Sequence, residues 1–471
     1  MKWWRSIILF AAAGACALAA LRLQQAPEST GTARMPLVSS DAIDTDKVVE
    51  ILLDRDGVRH RFVRTGNAWQ QTEPVAHAID GWSMRQIIGK LLKTESVRTV
   101  ALSASPEESK RELAEAGLSP ASARIELRES AAPDAPARVV AVELGRRSLA
   151  GRAFARVVAP SARAEYQVVD AELHEYALGR DPKEFRRRDL FIDLGEVDRI
   201  SYRTSGGELV LERKGRDYAI RSPVQTRADR VQVEEFLDAI RRSKSAGFVA
   251  DRPLDLSVYG LAPAIATLSI DAGGVQRALL VGDAVSIGAQ DRFGLIDGTT
   301  TVVRIPAAVL APMLPRVERL VDAVATGVLS RDIGGIEIAA GSSRLSLRRE
   351  TDGWSGGIGE QGAATLDPGR FDRSAVEGLL KALTETRASS VELAAFPASD
   401  AVATVTLLGF AGEPLDTVRI ARRASDSKTL FENGDSVLRA HGAIELPLTA
   451  LELGFIPAAG GAAQPAEAPK R

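Results

Sequence analysis

Asp80-Gly-Trp-Ser-Met-Arg-Gln-Ile-Ile-Gly-Lys-Leu91 sets apolar side chains four, seven, eight and eleven positions after an aspartate. Counted from Met84, that is i, i+3, i+4, i+7, a single apolar stripe of an α-helix. The aspartate is well placed as an N-cap, because its carboxylate can accept the first unpaired backbone N–H groups. The frame recurs twice. Asp229 precedes Val233, Phe236, Leu237 and Ile240, and Asp372 precedes Val376, Leu379, Leu380 and Leu383. The three copies lie 149 and 143 residues apart. A repeat of this length organises every other feature of the chain.

The flanks repeat as well. Upstream of each helix come two short apolar-polar runs and a Gly-aromatic turn. These are residues 47–53, 61–64 and 66–69 in the first copy, 197–202, 208–212 and 215–218 in the second, and 335–338, 344–348 and 353–354 in the third. Trp69 stands five residues before Pro74-Val75, and Tyr218 stands five before Pro223-Val224. Downstream, Ala116-Gly-Leu-Ser-Pro-Ala121 matches Tyr259-Gly-Leu-Ala-Pro-Ala264, and both lead into alternating runs. Val142-Glu-Leu-Gly145 then matches Leu280-Val-Gly-Asp283. The third copy keeps the strand-like runs but lacks the Gly-Leu-x-Pro turn. Several strands around one helix predict an α+β fold with antiparallel sheets, not a βαβ series. At this size each copy can bury a core of its own. The expected division is 1–23 anchor, 24–45 flexible linker, three similar domains at 46–190, 191–325 and 326–456, and a disordered tail at 457–471.

Composition and the N-terminus set the class. The 471 residues are 45% hydrophobic and 26% charged, values typical of a globular chain, and the formal net charge is −2. No overall basic field exists to draw nucleic acid. Residues 6–21 carry no charge, and residues 3–23 would span about 31 Å as a helix, one hydrocarbon thickness. Lys2 and Arg5 favour a cytoplasmic N-terminus, and Trp3 and Trp4 suit the headgroup boundary. The leading expectation is therefore a retained single-span signal anchor in the inner membrane, with the bulk of the chain in the periplasm. Cleavage after Ala13-Gly-Ala15 or Ala17-Leu-Ala19 and acylation of Cys16, the one cysteine, remain open alternatives.

These elements together, namely the Gly-x-x-Trp/Tyr turn, the Pro-Val entry, the capped helix, the Tyr-Gly-Leu-x-Pro turn and the Val-Gly-Asp hairpin, resemble the bacterial family called domain of unknown function 4340. The resemblance runs from about Asp46 to Phe455 and is clearest in the second copy. It implies a membrane-anchored protein with an exported repeat region, working beside gliding-motility-type ABC transporter permease and ATPase subunits. It implies no catalytic activity and supplies no catalytic residues.

The residues themselves offer few reaction centres. Gly353-Trp-Ser-Gly-Gly357 fits G-x-S-x-G, and Asp400, Asp416 and His441 follow in the chain order of an α/β-hydrolase triad. Such a site needs Ser355 on a strand-to-helix elbow, yet a glycine-rich run follows it. An exported serine hydrolase or glycan-modifying enzyme using Ser355 and His441 is thus the weaker reading, as is a polysaccharide- or lipid-binding module. The aromatics of such a module would be Trp69, Tyr218 and Trp354, which are better explained by packing. His60, His77, His174 and His441 lack a second ligand at metal-binding spacing, and each is expected to be solvated or hydrogen-bonded, His174 in a surface helix. Glu107-Glu108 and Glu234-Glu235 read as solvated helix faces. No nucleotide-binding loop is present, so no cofactor is expected. The Arg186-Arg-Arg188 cluster, with Arg180 and Lys183, reads as the end of the first copy, with Phe185 in its core.

Overall fold

The computed structural model describes residues 34–39, 41–130, 137–158, 164–296, 298–363 and 365–458. The proposed anchor at 1–23 therefore lies outside the described residues, and among those described no helix is long and apolar enough to cross a membrane.

The first copy contains β1 (Met35–Pro36), β2 (Val48–Arg55), β3 (Val58–Thr65), β4 (Ala68–Glu73), β5 (His77–Ile79), helix α1 (Gly81–Lys93), β6 (Glu95–Ala101), β7 (Ala123–Glu129), β8 (Val139–Arg147), β9 (Arg152–Val158) and β10 (Glu165–Asp170). The second contains β11 (Val197–Thr204), β12 (Gly207–Lys214), β13 (Asp217–Ser222), β14 (Thr226–Arg227), α2 (Arg230–Arg241), β15 (Gly247–Asp251), β16 (Ala266–Ala272), β17 (Val275–Ala284), β18 (Arg292–Ile296) and β19 (Thr301–Ile305). The third contains β20 (Gly335–Ala340), β21 (Ser343–Glu350), β22 (Gly353–Glu360), β23 (Asp367–Phe371), α3 (Arg373–Thr384), β24 (Ser390–Leu393), β25 (Ala401–Leu408), β26 (Pro414–Arg422), β27 (Thr429–Glu432), β28 (Val437–His441) and β29 (Ile456–Pro457).

Each copy forms one antiparallel sheet. The orders are β5-β4-β3-β2-β7-β8-β9-β10-β6, β14-β13-β12-β11-β16-β17-β18-β19-β15 and β23-β22-β21-β20-β25-β26-β27-β28-β24. Counted within each copy, all three read 4-3-2-1-6-7-8-9-5. The first sheet adds β1 at one edge and the third adds β29 at the opposite edge. The helix thus joins the two edge strands of its own sheet. Nine strands laid flat would span about 38 Å, whereas a 13-residue helix covers about 20 Å. The sheet must curl around the helix for both connections to close.

The helix pattern is realised in every copy. Asp80, Asp229 and Asp372 accept N-terminal amide hydrogens, and the buried quartets are those spaced four, seven, eight and eleven residues on. They pack with the inward-facing residues of the strands into cores that also hold Phe62, Trp69 and Phe185 in the first copy and Trp354, Phe371 and Phe431 in the third. The Gly-Leu-x-Pro turn is the same object twice. A Cβ on Gly145 would lie 2.3 Å from the Ala116 carbonyl oxygen, and one on Gly282 would lie 2.1 Å from that of Tyr259. Gly117 and Gly260, at φ of 69° and 64°, turn the chain over those glycines. The outer sheet face of the first copy is tiled with cross-strand ion pairs such as Arg128–Glu50 and Arg156–Glu143, each of modest worth at a solvated surface.

Two boundaries differ from expectation. The 24–45 stretch is not a plain linker. β1 pairs with Glu95 and Ser96, and Leu37, Val38 and Ile43 are buried in the first core. Its Pro, Ser and Thr content masked three apolar residues whose burial outweighs the ordering cost. The expected tail at 457–471 begins one strand too early, because Pro457 pairs with Gly369 within β29. Residues beyond 458 lie outside the described set.

The chain divides into two compact units, residues 1–188 and 189–471. The second unit contains the second and third sheets, whose cores merge. Val437 belongs to the second copy's cluster, and Val391 and Leu393 pack against it.

Candidate functional site

A cluster of buried charge lies where the third copy meets the second, within the unit 189–471. The connecting strap builds it. Asp229 donates its backbone N–H to the Leu320 carbonyl, Asp322 donates to Arg227, and Ala388 donates to Ala323. One short segment therefore closes the second copy and opens the third. A cleft of about 900 Å³ results, walled by Tyr218, Arg227 and Asp229 from the second copy and by Arg387, Asn433 and Asp435 from the third.

Arg439, on β28, is fully buried and joins the residues of both walls. Its Nη2 donates to Asp435 Oδ2 at 2.7 Å and to Thr226 Oγ1 at 3.1 Å, and its Nε donates to the Asp322 carbonyl at 2.9 Å. The Thr226 hydroxyl in turn donates to Asp435. With the Asn433 amide nitrogen directed at Asp435, its oxygen accepts from Arg227 Nη1 at 3.0 Å. Arg227 also donates to Asp322 Oδ2 at 3.1 Å and to the Val324 carbonyl at 2.8 Å. Arg387 pairs with Asp229, the N-cap of α2, which is only 4% exposed. Burial works to raise the Asp435 carboxyl, but the Arg439 guanidinium and the Thr226 hydroxyl outweigh it and hold the pKa below the ordinary value. Every one of these ions has an opposite partner. Such an arrangement clamps two surfaces in one register.

The hydrolase residues are not brought together. Ser355 on β22 alternates with buried Trp354 and so faces outward, where it donates to Glu350. His441 on β28 shares the inner face with Phe431, ring centroids 4.7 Å apart. Five strands separate β22 from β28. Asp416 accepts from Thr326, and Asp400 from Ser399.

The histidines correct one expectation. His174 is completely buried rather than on a surface helix. Its short helix, Glu172–Ala177, packs on the core, and Nε2 donates to the Phe154 carbonyl at 2.9 Å while Nδ1 has no partner. His441 is neither solvated nor bonded at Nε2 and is 3% exposed. Burial lowers the pKa of both rings. His60 meets the Gln71 amide, and His77 meets the Ala78 carbonyl. Among the described residues no three His, Cys, Asp or Glu side chains cluster as metal ligands.

The remaining candidates lie where the sequence put them. Phe185 is buried, stacked on Tyr176 at 5.7 Å, and Arg180 covers that ring. Glu108 accepts from Ser103, while Glu234 and Glu235 approach Arg241 and Arg319. The residues that sequence reasoning missed are Arg439, Asp435 and Thr226. One signal pointed to them: an arginine in the middle of the buried run Val437-Leu-Arg-Ala-His441.

No curated protein matches the chain. Two solved structures of the DNA polymerase sliding clamp from Pseudomonas aeruginosa, one of them with ligand, are 9% and 8% identical over 85% of this chain and 92% of theirs. Their TM-scores are 0.13 and 0.14, too low to carry any argument. Over residues 219–408, from β13 to β25, the chain matches the family described as Domain of unknown function (DUF4340), the family its turns and caps resemble.

Proposed function

We propose that the chain is a non-enzymatic, membrane-anchored accessory protein. It holds its repeat domains on the periplasmic side of the inner membrane and positions an ABC-type envelope transport system through its permease or ATPase subunits. The observation that carries this reading is that its most elaborate polar cluster, around Arg439, is a fully paired clamp between two copies of one helix-on-sheet unit. The chain spends its buried charge on holding domains in register. The charge-free run at residues 6–21 supplies the anchor in this reading, and the family resemblance supplies the transport partner.

Affinity purification of the full chain from solubilised membranes tests it. Recovery of a permease or ATPase subunit is the expected result, and recovery of neither overturns the transport role. Ser355→Ala should leave any phenotype of the native chain intact. Loss of the phenotype in a folded variant would instead favour the hydrolase reading.

A further inference from the structure

In the second copy, the face around the helix N-terminus is covered by the third copy. Arg387 pairs with the α2 cap Asp229, Asn433 and Asp435 enter the cleft beside Tyr218 and Arg227, and the helical turn Val317–Leu320 packs on β24. The third copy presents the same face with nothing after it in the described chain. Its cleft, about 690 Å³, is lined by Trp354, Arg370, Phe371, Asp372, Phe455 and Ile456. The cap Asp372 is exposed and bonds only backbone Ala375 among the contacts described. The Leu453 carbonyl accepts from the Asp372 backbone N–H as the Leu320 carbonyl does from that of Asp229, which places Leu451 in the register of the turn that packs on β24. Leu451 is 90% exposed and Ile456 is 69% exposed.

We propose that this face of the third copy is a self-association surface, on which a second copy of the chain docks through the same face about a two-fold axis. Two observations select that occupant. The head-to-tail alternative would seat this face on the incoming face of another chain's first copy. There, Thr99, Ala101, Glu165 and Gln167 stand at the register positions of Val391, Leu393, Val437 and Arg439 in the third copy. A surface that polar resembles the capped end of a repeat array and offers no apolar match for Leu451 and Ile456. The outgoing face, by contrast, is self-complementary. Arg370 and Arg373 flank Asp372, with Asp352 and Glu350 beside them, so a two-fold can set arginine against aspartate twice while the leucine and isoleucine pack centrally.

The test is the mass of the full chain in detergent, by light scattering or sedimentation across a micromolar concentration series. A dimer is expected. Leu451→Asp with Ile456→Asp should weaken its dissociation constant at least tenfold while the circular dichroism melt stays unchanged. Leu254→Asp, at a fully exposed site in the second copy, should leave the mass as it was. A monomeric native chain overturns the proposal. So does a dimer that survives the double substitution, which would place the contact elsewhere.

Discussion

At the scale of single residues, Arg439 decides how firmly the second and third copies hold together. Its guanidinium has no exposure and is matched by Asp435, Thr226 and the Asp322 carbonyl. Removing one partner strands the other charge in a dry site, so Arg439→Ala should cost about 3–5 kcal/mol, read as a lower denaturant midpoint. Replacing both ions by apolar residues, Arg439→Met with Asp435→Leu, should cost less than the sum of the single changes, because no charge is then stranded. The buried histidines add a pH dependence. His174 and His441 have folded-state pKa values below the unfolded value of about 6.5. Below that pH the unfolded chain binds protons that the folded chain refuses. Stability therefore falls as pH drops from about 6.5 toward the folded values, by up to ~1.4 kcal/mol per pH unit per histidine. His441→Phe should flatten that slope in pH-resolved denaturation, and an unchanged slope would mean that His441 takes up its proton as readily in the folded chain as in the unfolded one.

At the scale of elements, the helices and turns were legible because their signals are local. An aspartate and four apolar residues within twelve positions specify a capped, one-sided helix whatever surrounds it. The clamp was not legible in the same way: Thr226 and Arg439 are 213 residues apart, and no window of sequence joins them. The linker was misread for the opposite reason, since composition over 22 residues hid Leu37, Val38 and Ile43. Glycines make the local logic testable. Gly282 and Gly145 lie under carbonyl oxygens, so Gly282→Ala should cost about 1–3 kcal/mol or displace the Tyr259 turn. Gly89 and Gly378 sit inside α1 and α3 with open space where a Cβ would go. Alanine at either should raise stability by roughly 0.5–1 kcal/mol, because it only removes backbone freedom from the unfolded chain. A loss at Gly89 would mean that the helix face is more crowded than its geometry shows.

At the scale of the whole molecule, the sequence frame of three equal copies and the structure's two compact units answer different questions. Three copies describe how the chain was patterned, and the same strand order recurs in each sheet. Two units describe how contacts are distributed. The second and third copies have become one body because Val391, Leu393 and Val437 complete the second core, and because one strap closes one sheet and opens the next. Neither of those copies can unfold without exposing the other's apolar surface and breaking the Arg439 cluster, so residues 189–471 should melt as one cooperative transition. Residues 1–188 bury their own helix, sheet and entry segment, and should give a second transition. Calorimetry of the full chain should then resolve two peaks rather than one or three. Arg439→Ala is the discriminating variant: it should shift only the 189–471 peak, by roughly 5–15 °C given a cost of a few kcal/mol. Division of that peak in two in the native chain would show that the copies fold independently and that the buried clamp adds little to their union.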